Sequence, residues 1–198
     1  MQSPGEKTAW EMARAMEPAH LMKCAGVPFE NGSYVVQSFG ADVHVNPHRE
    51  TISSPDPQID ALIKKTGYFY NHLALWWLVN ARGISATGRL IRPTDLPGGE
   101  MFFRGTHVLP LEKLAERYAA DKEGFLKKAQ ALGAVPGAFG DASALFYPIN
   151  GLPAQLILWL RDEEFPARAD LLLDSAWELA VPLDIIWCAA MLTVLAML

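Results

Sequence analysis

The chain has 198 residues, 51% of them hydrophobic and 20% charged, with 14 Pro and 15 Gly, a composition that sustains a packed core and excludes a disordered chain. Its net charge is −5, and its 17 Lys and Arg are scattered instead of clustered, which argues against a phosphate-binding surface and so against a nucleic-acid partner. The length predicts a single domain over 1–198.

The opening segment, MQSPGEKTAWEMARAM, carries Glu6 and Glu11 and no apolar run of signal-peptide length, so a cytoplasmic location is expected. Trp10, Ala13, Met16 or Glu17, and Leu21 recur at helical spacing and predict an amphipathic helix over Glu6–Lys23, which Pro18 kinks or splits. Asn31-Gly32 is a hairpin-type turn. Ser33–Phe39 and Asp42–Val45 then alternate as half-buried strands joined at Gly40, an early meander that Thr51-Ile52 extends.

Ser53–Gln58 is a loop leading into a predicted helix over Ile59–Ala81. Its second half, YFYNHLALWWLV, is apolar on nearly every face and marks a central buried helix, with Gly83 as the stop. Thr87–Leu96 reads as a strand, Leu96-Pro97-Gly98-Gly99 as a turn, and Glu100–Arg104 as a short strand. Two outer helices follow over Leu109–Ala119 and Lys122–Leu132. After the Gly133–Gly140 loop, Ala142–Tyr147 and Leu152–Leu160 form a hairpin turned at Asn150-Gly151. Strands at both ends with helices between, and no βαβ rhythm, predict an α+β fold: an antiparallel or mixed sheet packed on the central helix, with outer helices and an apolar C-terminal helix. Val181–Leu198 has Asp184 as its one charge and no basic flank. It is expected to be a core or oligomer-interface helix, with membrane association unlikely.

The densest signal is LILWLRDEEFPARADLLLD, Leu156 to Asp174. A buried strand ends in Arg161-Asp162-Glu163-Glu164, Phe165-Pro166 turns the chain, and Ala169–Leu173 returns inside. Together with AWEMA, VVQSFGADVHVNP, ARG followed by TGRLIRPTDLPGG, and GDASALFYP, this stretch resembles the prokaryotic family catalogued as domain of unknown function 3786, found in anaerobic bacteria and archaea. The resemblance runs from about Ala9 to Leu198. It implies a setting near corrinoid, haem, iron–sulfur or one-carbon metabolism, because many members resemble fusions with a cysteine-rich iron–sulfur domain. This chain lacks that domain. With Cys24 and Cys188 as its two cysteines, it holds no Cys-ligated iron–sulfur cluster of its own. A His followed by an aromatic residue, common in the resembled family, aligns with Trp76-Trp77, and His72 lies one helical turn earlier.

Candidate chemistry follows from these residues. His44 and His48 flank Pro47 and are either metal or haem ligands or solvated loop histidines. His20 with Met16 and Met22 offers an axial pair for haem, although packing explains the methionines equally. Asp162, Glu163, Glu164 and Asp174 suit a hard cation or an acid/base pair, or else cap backbone amides and pair with Arg161 or Arg168. No phosphate loop, GxSxG or HExxH motif is present, so enzymatic activity has no support in the sequence.

The expected function is therefore an accessory, non-enzymatic protein that holds a protein partner, or a large planar cofactor such as a tetrapyrrole, against His72, Trp76, Trp77, His44 and His48. One alternative is a metal-assisted enzyme using Asp162, Glu164 and Asp174. The other is a structural subunit that forms a homo-oligomer through Leu183–Leu198.

Overall fold

A computed structural model describes residues 2–198. Ser3 opens α1 (Pro4–Ala15) by accepting the Glu6 N–H on its hydroxyl at 3.0 Å, and Pro4 occupies the first turn, where its missing N–H costs nothing. The single helix expected over Glu6–Lys23 is two: Met16 and Glu17 are extended, and Pro18 starts α2 (Pro18–Ala25). Pro18 cannot donate into a continuing helix but is preorganised to begin a new one.

The meander appears as expected. Strands β1 (Phe29–Glu30), β2 (Ser33–Ser38), β3 (Ala41–Asn46) and β4 (Thr51–Ser53) pair in sequence order, antiparallel throughout.

Asp56 caps α3 (Pro57–Lys65), accepting the Gln58 and Ile59 N–H groups at 2.8 and 3.1 Å. Here too the expected long helix divides. Thr66 leaves helical geometry and donates its hydroxyl back to the Leu62 carbonyl at 2.6 Å, and Gly67, a poor helix former, opens α4 (Gly67–Val79). Helix α4 is the central element, packing on α1 and α3, with Tyr70, Leu73, Leu75 and Leu78 almost fully buried.

Two further expectations are corrected. The strand expected over Thr87–Leu96 shrinks to β5 (Leu90–Ile91), because Pro93 supplies no N–H to a ladder and starts a 3-10 turn over Pro93–Asp95. Glu100–Arg104 is not a strand. Gly98, at φ +76°, turns the chain into a one-turn helix, α5 (Gly99–Phe102), closed by Phe102 N–H to Gly98 at 3.1 Å. A short apolar run such as Met101–Phe103 is readable either way.

The outer helices α6 (Leu111–Arg117) and α7 (Lys122–Ala131) lead into a second sheet. It contains β6 (Val135–Pro136), β7 (Ala142–Ile149), β8 (Leu152–Trp159) and β9 (Arg168–Asp174), ordered β5-β9-β8-β7-β6 and wholly antiparallel. The chain closes with α8 (Trp177–Ala180) and α9 (Leu183–Met197), which packs on α4 and on β7 and β8. The fold is α+β, with two antiparallel sheets rather than one. They are joined where Phe39 N–H donates to the Tyr147 carbonyl at 2.9 Å and Asn150 N–H donates to Gln37 at 2.7 Å. Among the described residues, no helix is long and apolar enough to cross a membrane.

In the second sheet the register assigns side chains to faces. Ala154, Leu156 and Leu158 of β8 pair with Leu173, Leu171 and Ala169 of β9 and turn into the core. Gln155, Ile157 and Trp159, paired with Leu172, Asp170 and Arg168, occupy the opposite face. That face carries the candidate site.

Candidate functional site

The β8–β9 connection is a built corner. Asp162 accepts the N–H groups of Glu164 and Phe165 on one carboxylate oxygen at 2.8 and 2.7 Å, and its own N–H donates to the Phe165 carbonyl at 3.0 Å. Arg161 N–H ties the corner to the Ala119 carbonyl beyond α6 at 2.9 Å, and Leu160 N–H donates to Asp141 at 2.8 Å. So anchored, the hairpin brings Trp159 opposite Arg168, and the Arg168 guanidinium lies 4.0 Å above the Trp159 ring. A guanidinium at that height is attracted by the ring's quadrupole.

Two clefts meet at this stack. The larger, about 840 Å³, lies between α6 and the corner, floored by Trp159, Leu160 and Ala167 with Phe165 at its mouth. Phe165 is 66% exposed, a large apolar side chain left in water. Glu112, Glu116, Asp141 and Asp162 outnumber Arg161 and Arg168 along its walls, so it is acidic. The second cleft, about 540 Å³, lies along β9 between Pro93 and Val108, with Phe103, Ile157 and Leu172 inside. Trp159 and Arg168 line both. Both clefts are in the size range of ligand and peptide sites.

The sequence-expected acids do not converge. Asp162 and Glu164 sit in the corner before β9, whereas Asp174 ends that strand, completely buried. Its carboxylate accepts Thr87 N–H at 3.0 Å, the Thr87 hydroxyl at 2.8 Å, Ala176 N–H at 2.8 Å and Gly88 N–H at 2.7 Å. Burial pushes this acid up, but those donors outweigh it and hold the carboxyl below the usual range. Asp174 is thus a clasp between the Thr87–Gly88 segment and β9. Among the described residues, no group of three or more His, Cys, Asp or Glu side chains is placed to hold a metal ion. Asp162 serves the corner's backbone, and Glu163 and Glu164 stand exposed beside it.

None of the expected cofactor residues lines either large cleft. His72, 6% exposed, has both ring nitrogens engaged, one with the Ser3 hydroxyl at 2.8 Å and one with the Tyr68 carbonyl at 2.7 Å. It pins α4 to the start of α1. Trp77 is buried on α4, and Trp76 is half-buried and packed on the core. His44 is half-buried on β3 opposite Ser53, and His48 is exposed in the β3–β4 turn.

The sequence reading missed the Trp159–Arg168 pair as a unit, although both residues stood in its strongest segment. The available signal was hairpin arithmetic: strands returning symmetrically about Glu163-Glu164 put 159 across from 168 on one face. The contributions of Phe103 and the α6 acids come from distant segments and had no local signal.

Comparison with known proteins gives one match. The family model described as Domain of unknown function (DUF3786) matches residues 17–196. No curated protein and no solved structure matches the chain.

Proposed function

We infer that this chain, which belongs to the DUF3786 family across residues 17–196, is an accessory protein that binds a protein partner across the two clefts flanking Trp159 and Arg168. The observation that carries this reading is the stacked pair itself. A large aromatic and a guanidinium, both enriched at protein interfaces, form the shared wall of the two clefts, with exposed Phe165 beside them. The corrinoid, haem and iron–sulfur setting implied by the sequence resemblance supplies the class of system in which to seek that partner.

The test is site-specific photocrosslinking. A benzophenone side chain replaces Phe165 in one preparation and Leu179, 63% exposed on α8 and outside both clefts, in another. Each is irradiated in extract of the source organism. One dominant adduct from the Phe165 probe, lost in Trp159→Ala, is the expected result. Equal labelling from both positions, insensitive to Trp159, would refute the reading. An absorption spectrum of the protein purified without oxygen from a host supplied with iron, haem and cobalamin tests the tetrapyrrole alternative in parallel.

A further inference from the structure

Helix α6 packs along β9 and borders both clefts. Its sequence, LEKLAER, sorts the side chains by destination. Leu114 and Ala115 are buried, Leu111 lines the second cleft, and Glu112 and Glu116 line the first. One helical turn apart, the two glutamates are neighbours of like charge, an arrangement that destabilises a helix. Nothing on α6 offsets it. Arg117 donates to the Leu198 carbonyl at 2.7 Å, and among the described residues neither glutamate makes an ion pair or a side-chain hydrogen bond.

Asp141 and Asp162 add two more carboxylates to the walls of the first cleft, each held by backbone N–H groups at 2.7–2.8 Å. Two guanidiniums, of Arg161 and Arg168, face these four acids. Arg168 is already engaged, over the Trp159 ring and 3.7 Å from Asp170, a residue of the second cleft. The first cleft is left with an excess of negative charge around an apolar floor of Trp159, Leu160 and Ala167.

A side chain that suits both parts has an apolar stem and a cationic head. Lys and Arg are built in this way: their methylenes cover apolar surface while the head stays in the charged, wet rim. A purely apolar or an anionic occupant would leave Glu112 and Glu116 uncompensated. A bare metal ion lacks the ligands, since no group of three or more His, Cys, Asp or Glu among the described residues is placed to hold one.

We propose that the first cleft receives a basic segment of the partner protein, a Lys or Arg whose stem covers the floor beside Phe165 and whose head reaches Glu112 and Glu116. The proposal rests on the clefts being the partner surface and names the chemistry of that partner. A chain of net charge −5 repels its own copy, so the segment belongs to a different protein.

The probe is a displayed library of random linear peptides, selected on the full-length native protein and counter-selected on Phe165→Ala. The survivors are expected to be rich in Lys and Arg. The best of them is expected to bind about tenfold or more weakly to Glu112→Gln/Glu116→Gln, and to associate more slowly as NaCl rises from about 0.05 to about 0.5 M. Both glutamates are exposed, so these variants keep the fold, which urea unfolding checks. In Glu112→Lys/Glu116→Lys, the same peptide with its basic residues changed to Glu is expected to recover binding, a rescue that a merely structural role for α6 does not produce.

Survivors without basic residues, or basic ones that bind the Gln variant unchanged, overturn the basic segment and leave the clefts as a binding surface. Spermidine that displaces the peptide as effectively as the unlabelled peptide itself overturns it in favour of a free polycation. A library with no survivor overturns both this proposal and the partner surface on which it rests.

Discussion

Replacing Asp174 tests whether this carboxylate is a clasp or a ligand. It accepts hydrogen bonds from four donors, three of them backbone N–H groups of Thr87, Gly88 and Ala176, with no exposure to water. A hydrogen bond to a charged group contributes about 1.5–3 kcal/mol, and the contributions do not add fully because water reaches some donors once the side chain is gone. Asp174→Ala is therefore expected to cost about 3–5 kcal/mol. Asp174→Asn keeps one oxygen for Thr87 and Ala176 but turns an amino group toward the Gly88 N–H, a loss of about 2 kcal/mol. Urea unfolding at pH 7, followed by fluorescence and circular dichroism, gives both values.

The pH dependence supplies a second arm. Burial raises this acid and the donors lower it further, so its folded pKa lies below the unfolded one. The stability it confers is complete above the unfolded value, about pH 4, and is lost as pH falls through the folded value. The gap between the native protein and Asp174→Asn should be full at pH 7 and narrow below about pH 4. Two variants within about 0.5 kcal/mol of the native protein, or a stability that rises on adding Mg²⁺ or Ca²⁺ and loses that rise in Asp174→Asn, would refute the clasp.

Other consequences are as direct. The Tyr70 hydroxyl donates to Ser38 Oγ at 2.5 Å and Ser38 donates to the Pro148 carbonyl at 2.6 Å, tying α4 to both sheets; Ser38→Ala should cost about 1–3 kcal/mol, and its double-mutant cycle with Tyr70→Phe should be non-additive. Gly133, at φ +66°, lies so near Gly40 that an added Cβ would stand 2.7 Å from the Gly40 Cα; Gly133→Ala should lower stability by more than about 1 kcal/mol in the same unfolding assay. Burial pushes the Cys188 thiol up to about 12, so iodoacetamide at pH 8 should label half-buried Cys24 in the native protein and Cys188 only after unfolding. His72→Phe removes both of its hydrogen bonds and is expected to cost about 1–3 kcal/mol by urea unfolding, while leaving the absorption spectrum of the purified protein unchanged.

The parts of the fold written in local chemistry were legible. Asn31-Gly32 and Asn150-Gly151 announce their hairpins, and the all-apolar run through Leu75 and Leu78 identifies the central helix. Where residues at once permit two outcomes, periodicity misled. Met101–Phe103 satisfies a strand pattern or a helical turn, and only the Gly98 turn, with Gly99 next to it packed against Pro93 and Leu96, decides it. The site was half legible for the same reason. Asp162 and Phe165 mark the corner locally, but the clefts need α6 and Phe103, brought in from more than forty residues upstream by tertiary packing.

The sheet edges show how the fold avoids unwanted association. An exposed, unpaired strand is a template for unwanted association, and proteins shorten or cover such edges. Here β1, β5 and β6 have two residues each and β4 has three, and Pro136 stands within β6 as Pro93 follows β5. Each terminal strand is thus too short to recruit another sheet. The five residues from Arg168 to Leu172 are treated differently: the strand is long, and the protection is α6, which packs alongside β9, rather than brevity. A packed helix covers an edge that is too long to be made safe by brevity alone.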